Sequence, residues 1–492
     1  MNPPKNNDIG NLETDLIVIG AGGSGLAAAV AAAEKGIKSI VLEKRGVPGG
    51  NSATGGGPFA SESPVQKRYG IDAPTDDFFK IAMSWSHWKT NPRIVRAFID
   101  KSGDTIRWLE EKGLKFFPLE TRITYHVPEG EGAGMMKVLR KGCEDLGVRI
   151  LVHTQARKIL TGEDGRITGV LASTKDKEYT ITTKSVIIAT GGYGSNKELL
   201  KKYCSSYHDG MEYHGVPNTG DGLLMAIEIG AAVENPGTML LEGPLVHTSV
   251  LLKINIAEKR VINVPLVALA WEPYLMWVNK SGKRFMAEDA GSPFEGGNAV
   301  SRQPDNVCFL LFDSQICQMI NERGLVKGRP LPNAPLEFQR GKLPGFEKEL
   351  QSQAVKGRMR IADSWDEIAE WIGTSPEALK ATVDEYNIAC EYGYDPIFAK
   401  DRRNLLPLRT PPYYALRCSS AFLDTIGGIK INEKMEVIDN QFKPIPGLFA
   451  AGVVTGGWEG DTYCYKLLGS ARGFALNSGR IAGENATKYI SK

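Results

Sequence analysis

Residues 15–25 read Asp-Leu-Ile-Val-Ile-Gly-Ala-Gly-Gly-Ser-Gly, and they decide the fold. An apolar run of strand character leads into the pattern G-x-G-x-x-G at Gly20, Gly22 and Gly25. An Ala-rich stretch, Leu26–Ala33, continues it as a helix. A second apolar strand, Ser39–Leu42, then delivers Glu43, eighteen residues after Gly25. Strand, glycine turn, helix, strand and acid in this order form a dinucleotide-binding βαβ unit. Gly20 permits the tight turn, Gly22 lets the backbone approach a pyrophosphate, and Gly25 lets helix and strand pack closely. The pyrophosphate belongs at the helix N-terminus, where unpaired N–H groups and the helix dipole favour an anion. Glu43 is spaced to meet ribose hydroxyls.

At 492 residues the chain exceeds one hydrophobic core, so two or three domains are expected. Its 42% hydrophobic and 24% charged residues are ordinary for a soluble enzyme. A net charge of +2 gives no electrostatic case for nucleic acid or an anionic membrane. No uninterrupted apolar run reaches about 18 residues, so no transmembrane helix is expected. Met1–Asn11 is polar and lacks a signal-type apolar stretch or twin arginines, which makes the cytoplasm the expected location. The seven cysteines form no C-x-x-C or C-x-x-C-H, and their odd number argues against a disulfide framework. Iron–sulfur clusters and covalent haem are therefore not expected. None of the six histidines has metal-ligand spacing, so no metal is expected either.

Helical period runs through residues 91–112, with Pro92 at the start and Gly113 as the stop. Residues 148–190 alternate as strands, at Val148–Val152, Ile167–Ala172, Tyr179–Ile181 and Val186–Ala189, with Gly/Asp turns between. From about 240 to 408 short apolar stretches alternate with charged helices such as Ser364–Ile372 and Ser375–Tyr392.

Further glycine turns recur. Pro48-Gly49-Gly50-Asn51-Ser52-Ala53-Thr54-Gly55-Gly56-Gly57 follows the first unit. Ala189-Thr190-Gly191-Gly192 and Gly447–Gly452 each end a short apolar strand, where backbone can approach a flat ligand. With Gly220-Asp221-Gly222, Gly282-Lys283-Arg284-Phe285 and Gly479-Arg480-Ile481-Ala482-Gly483, the set resembles the FAD-dependent oxidoreductase 2 superfamily, of the fumarate reductase, succinate dehydrogenase flavoprotein and 3-ketosteroid dehydrogenase type. The resemblance covers nearly the whole chain. It implies an α/β fold: a Rossmann-like FAD-binding domain with a β-meander insertion, plus an α+β capping domain. The implied boundaries are 1–239 and 409–492 for the two parts of the FAD domain and 240–408 for the cap. The implied FAD contacts are Gly20, Gly22, Gly23, Ser24, Gly25, Glu43, Lys44, Gly50, Asn51, Ser52, Gly56, Gly57, Ala156, Ala189, Thr190, Gly191, Asp221, Gly452, Ser470 and Ala471. The final helix, opening at Gly469-Ser470, is expected to aim its N-terminus at the flavin pyrimidine edge. Relatives with covalent flavin carry a histidine near the Gly50 turn, where this chain has Asn51 and Ser52, so noncovalent FAD is expected.

The substrate positions depart from fumarate reductase. In motif register, Glu242 stands at a substrate histidine, Ser292 near the acid arginine, Leu423 or Asp424 at a second histidine, and Lys466 at the last arginine. A dicarboxylate needs cations in fork geometry, so fumarate and succinate are poor candidates. Trp458, Tyr463 and Tyr465 cluster around Lys466, and ketosteroid dehydrogenases resemble this in using tyrosines near the same turn. The candidate catalytic residues are therefore Tyr463, Lys466, Tyr465, Glu242 and Asp424, with Lys466 expected to lower the pKa of the phenol; Tyr125-His126 is a further segment expected near the site. The reading is an FAD-dependent oxidoreductase acting on a C–C or C=C bond beside a carbonyl, with hydride passing through flavin N5, favoured as an ene-reductase of an enone or enoate. Its alternatives are a dehydrogenase of a cyclic ketone or 3-ketosteroid, and the flavoprotein subunit of a larger electron-transfer complex. The partners implied are that small molecule and an external electron carrier such as a quinone, a flavodoxin or ferredoxin, or an FMN protein.

Overall fold

A computed structural model describes residues 12–54, 56–119, 123–246, 254–255, 260–261, 266–270, 272–290, 293–325 and 345–492. Ser292 lies outside them. The chain forms two compact units. The first holds residues up to Ser205, Gly215–Leu240 and Asp424–Lys492; the second holds Ser206–His214 and Leu241–Leu423. The expected 240–408 cap therefore differs from the second unit at both ends. The short strand Glu212–Tyr213 pairs with Ala421–Phe422, which ties 206–214 to the end of that unit. The long strand Tyr413–Ile429 carries the chain back to the first unit partway along its length.

In the first unit, β1 (Leu12–Ile19), α1 (Gly23–Ala33) and β2 (Ser39–Leu42) form the expected βαβ unit. β1 lies parallel to β2, and β2 to β3 (Arg149–Leu151). On its other side β1 pairs in parallel with β6 (Glu178–Ile188), which pairs in parallel with Pro444–Ala450. Wholly buried apolar side chains such as Leu16, Ile17 and Val18 suit a sheet covered on both faces. The meander is β4 (Gln155–Thr161), β5 (Ile167–Ser173) and β6, antiparallel in sequence.

The meander corrects two readings. Tyr179–Ile181 and Val186–Ala189 are one strand, β6. Its polar middle, Thr182–Ser185, looked like a break, but Thr183 and Ser185 are buried. β4 was missed because two register shifts interrupt its alternation.

The helix over 91–112 forms as Pro92–Glu111, with the Asn91 side chain capping Arg93 N–H. The final helix is Ser470–Ile490. It crosses α1 at two glycines: a Cβ on Gly479 would fall 2.2 Å from the Ser24 carbonyl oxygen, and one on Gly483 2.3 Å from that of Ala28.

The second unit is built on an antiparallel sheet of Met276–Val278, Val307–Asp313, Tyr413–Ile429 and Met359–Ala362. Trp365–Ile372 and Pro376–Tyr392 pack on this core. The Gly282-Lys283-Arg284-Phe285 motif has a structural role here. Arg284 is sequestered between Glu288 at 2.9 Å and Asp395 at 2.8 Å, and Lys400 meets Glu288 at 3.2 Å. Among the described residues no helix is long and apolar enough to cross a membrane.

Replacing Gly479 or Gly483 by alanine forces the two helices apart. Each change is expected to cost about 1–3 kcal/mol, the usual cost of overpacking, read as a lower urea midpoint with an unchanged slope.

Candidate active site

The cradle grows out of the first glycine turn. Gly20 has φ +104°, and a Cβ there would sit 2.4 Å from the Ala189 carbonyl oxygen. A Cβ on Gly25 would sit 1.9 Å from the Gly20 carbonyl oxygen. Gly22 differs: its φ is −79° and a Cβ there would meet nothing within 4 Å. It caps α1 without a side-chain hydrogen bond, and the first turn of α1 carries no acid. The space over Gly22 and these helix N–H groups fit a pyrophosphate. Glu43 is held by Ala21 N–H at 2.9 Å and Arg45 N–H at 2.9 Å, with its carboxylate at the end of β2.

Gly49 bridges to Gly22, and a Cβ on Gly23 would fall 2.5 Å from Ser52 Oγ, so the Gly50–Ala53 turn lies against the start of α1. Ala189, Thr190 and Gly191 follow the end of β6, and the buried Thr190 hydroxyl has no hydrogen-bond partner. Gly452, at φ +81°, closes on Ser24, where a Cβ would lie 2.7 Å from Oγ. Ala156 lies on β4 opposite Ala172. Lys44 and Asp221 pair with each other at 2.8 Å, with Thr219 between them. Ser470 and Ala471 open the final helix after Gly469, which caps it without a side chain. These features of one unit fit FAD: a glycine cradle open to phosphate, a placed acid, and two uncapped helix N-termini.

Asn51 turns toward a carboxyl. Its Nδ2 donates to Asp424 Oδ2 at 2.7 Å, and its Oδ1 accepts from Val216 N–H at 2.6 Å. Asp424 also receives Thr425 N–H at 3.0 Å. Burial outweighs these bonds and pushes the Asp424 carboxyl up to about 7.

The turn at 457–466 departs from expectation. Tyr463 is buried and its phenol oxygen receives Ala471 N–H at 3.5 Å, at the start of the final helix. Its pKa rises well above the ordinary phenol, because burial outweighs the bonds that favour phenolate. The expected lowering by Lys466 does not occur. Lys466 is exposed, with its ammonium 4.7 Å from the centre of the Tyr465 ring. Tyr465 meets Trp85 edge-on at 5.2 Å. Trp458 stacks on Phe474 at 4.2 Å and is core. His126 is core as well: it bonds Ser63 Oγ at 2.6 Å, and burial pulls it down to about 4. Tyr125 faces the glycine turn, where a Cβ on Gly56 would meet its hydroxyl at 2.0 Å. A Cβ on Gly57 would strike the His126 carbonyl at 2.1 Å.

Glu242 lies in the second unit. It is buried, and its Oε1 is 2.9 Å from His214 Nδ1, while His214 Nε2 is 3.3 Å from Glu212. The bond to Glu242 raises the His214 pKa, which favours the charged imidazole beside this acid.

Sequence reading missed three groups. Arg472 donates to the Thr54 carbonyl at 2.9 Å, tying the final helix to the glycine turn. His214 carried no spacing signal. Glu459 is 6% exposed; its two oxygens accept Gly460 N–H and Cys464 N–H, each at 3.2 Å, and burial pushes it up to about 8. An acid in a glycine-rich turn reads as solvated, so the sequence holds no sign of its burial.

The family whose model describes an FAD binding domain matches residues 15–462. A vinyl phenol reductase of Lactiplantibacillus plantarum is 30% identical over 490 residues, covering 96% of both chains. A urocanate reductase of Eggerthella lenta is 28% identical, covering 96% of this chain and 74% of the relative. Among solved structures, the open conformation of a flavocytochrome c3 fumarate reductase matches with TM-score 0.72 at 27% identity, over 98% of this chain and 79% of that one. A 3-ketosteroid Δ1-dehydrogenase of Sterolibacterium denitrificans shares the fold, with TM-score 0.78 at 20% identity over 98% and 100% of the chains.

Gly22→Ala places a methyl where the pyrophosphate needs backbone. The variant is expected to keep the wild-type circular dichroism spectrum and urea midpoint of the FAD-free protein while losing flavin absorbance after purification.

Asp424 and Glu459 hold their protons more tightly folded than unfolded, where ordinary values are 3.8 and 4.5. The stability they supply is complete below those ordinary values and is lost as pH rises through the folded ones. The slope approaches about 1.4 kcal/mol per pH unit for each group. In urea titrations from pH 5 to 8, Asp424→Asn and Glu459→Gln should each flatten the fall in unfolding free energy.

Proposed function

The chain belongs to the FAD-dependent oxidoreductase 2 superfamily of enzymes acting on CH–CH and C=C bonds, and we propose that within it the chain is an ene-reductase of an enone or enoate, with noncovalent FAD. Bound FAD would supply hydride at N5. The residues that would hold it are the Gly20–Gly25 turn, Glu43, the Gly50–Ser52 turn, Ala189–Gly191, Gly452 and the start of the final helix.

What supports the reading is the burial of two groups that can hold a proton. Tyr463 is a neutral phenol at a helix N-terminus, and Asp424 is a carboxyl whose pKa lies near neutrality beside Asn51. A neutral phenol donates: it can hydrogen-bond an enone oxygen or give a proton to the carbon beside it. A donor that rests protonated suits reduction, and the same group deprotonated would serve the reverse dehydrogenation. Asp424 holds Asn51 and can store or return a proton across neutral pH.

Fumarate fits poorly. At the positions that match the family's cations, Lys466 is exposed on Tyr465, and Glu242 is an acid engaged with His214. A single imidazole ring held between Glu242 and Glu212 lacks the paired fork that two carboxylates require. The vinyl phenol reductase relative adds one probe, an alkene conjugated to a phenol ring.

The test is a reduced-dye-coupled screen of enones, enoates, 4-vinylphenol and fumarate, with the oxidised-dye reaction on cyclic ketones run alongside. The enone or enoate arm should turn over and fumarate should not. Tyr463→Phe should cut kcat by about 10²–10⁴, the usual worth of a positioned acid, with FAD content unchanged. A wall residue would shift mainly KM. Denatured protein should release intact FAD to the supernatant. Exclusive turnover of cyclic ketones would reverse the direction, and flavin on the precipitate would refute noncovalent binding.

A further inference from the structure

The Gly50–Ala53 turn lies against Gly22, where the pyrophosphate belongs, yet apolar packing does not anchor it. None of its four residues is buried, and the chain enters it through Gly49 at φ +135°. Hydrogen bonds must therefore set its place. The backbone contributes Gly49 N–H to the Ala21 carbonyl at 2.8 Å. Asn51 contributes two bonds through one side chain, to Val216 N–H at 2.6 Å and to Asp424 Oδ2 at 2.7 Å.

These donors and acceptors can run only one way. Val216 N–H can only donate, so the atom of Asn51 facing it is the amide oxygen, and the amide nitrogen is left to face residue 424. Residue 424 must then accept. Its other oxygen must accept as well, because Thr425 N–H reaches Oδ1 at 3.0 Å and Gly192 offers its N–H to the same carboxyl. An aspartate meets all three donors, whereas an asparagine would turn its own N–H groups toward one of them. The approach of Gly192 also requires glycine, since a Cβ there would fall 2.6 Å from Asp424 Oδ1 and 2.3 Å from Thr425 Oγ1. The carboxyl is buried, and among the described residues no cation pairs with it, a costly placement that filling space does not require. What it achieves is a link between four segments of the first unit: the Gly50–Ala53 turn, Gly192 after β6, Val216, and Asp424–Thr425 where the chain returns.

We propose that Asn51 and Asp424 form a directional latch that seats the Gly50–Ala53 turn for FAD, which makes Asp424 a positioning residue for the cofactor. This rests on FAD binding in the glycine cradle. A directional latch works equally well with its two halves exchanged. When Asn51→Asp and Asp424→Asn are made together, the carboxylate now at 51 accepts Val216 N–H and the amide from 424. The amide oxygen at 424 still accepts Thr425 N–H. Every donor keeps an acceptor, and the net charge is unchanged. Either change alone leaves two donors, or two carboxyls, facing each other.

The test is titration of the FAD-free protein with FAD, followed by quenching of flavin fluorescence, with a urea midpoint measured for each FAD-free variant. Asp424→Asn and Asn51→Asp should each weaken FAD binding about 10- to 100-fold, the usual cost of a buried polar group left without its partner. The exchange should return to within about threefold of wild type, where independent effects would have multiplied. Losses that multiply in the exchange would overturn the latch, as would wild-type affinity in both single variants. A lower urea midpoint with unchanged FAD affinity would confine the pair to stability, which also overturns the proposal. If Asp424→Asn does not fold, the exchange decides alone: it should restore folding and FAD affinity, and failure of either contradicts the pairing. Wild-type protein that binds no FAD would end the cofactor reading itself, a different result from variants that bind FAD as tightly as wild type.

Discussion

The first unit depends on how closely α1 and the final helix approach each other. Backbone meets backbone at Gly479 over Ser24 and at Gly483 over Ala28, because no Cβ intervenes. That contact joins the two ends of the chain. The N-terminal glycine turn and the segment running from Gly452 to Ala471 become one cradle although more than 400 residues separate them in sequence. Gly452 closes on Ser24, Ser478 Oγ accepts Gly452 N–H at 2.9 Å, and Arg472 reaches the Thr54 carbonyl. A ligand seated on the first turn therefore lies against a helix whose N-terminus is free of any capping side chain.

Burial without neutralisation then sets the chemistry. Asp424, Glu459 and Tyr463 are all removed from water, and in each desolvation outweighs the hydrogen bonds and raises the pKa. The second unit does the opposite with its buried charges. Arg284, Glu288, Asp395 and Lys400 pair closely with one another, which is how a fold keeps charges inside.

The βαβ unit was fully legible because each of its parts follows from local sequence: strand periodicity, glycine spacing and the position of Glu43. The strand Ser39–Leu42 forms as read. β4 was not legible because its bulges break the alternation that identifies a strand. Motif register singles out Asp424, and the aromatic turn around Lys466 singles out Tyr463, but neither indicates the surroundings of these side chains. Lys466 lies three residues from Tyr463 in sequence, yet its ammonium lies over the Tyr465 ring, and burial raises the phenol pKa against the bonds from the start of the final helix. The Arg472–Thr54 and His214–Glu242 contacts join segments apart in sequence, and the burial of Glu459 depends on what packs over its turn, so no spacing in the chain encodes them.

The most direct measurement of proton delivery by a buried protein group is the solvent deuterium isotope effect on reoxidation of photoreduced enzyme by an enone or enoate, followed by stopped flow. The expected result is flavin reoxidation with a clear isotope effect in wild type, and slow reoxidation in Tyr463→Phe. Reoxidation at one rate in both solvents and in both proteins would contradict it.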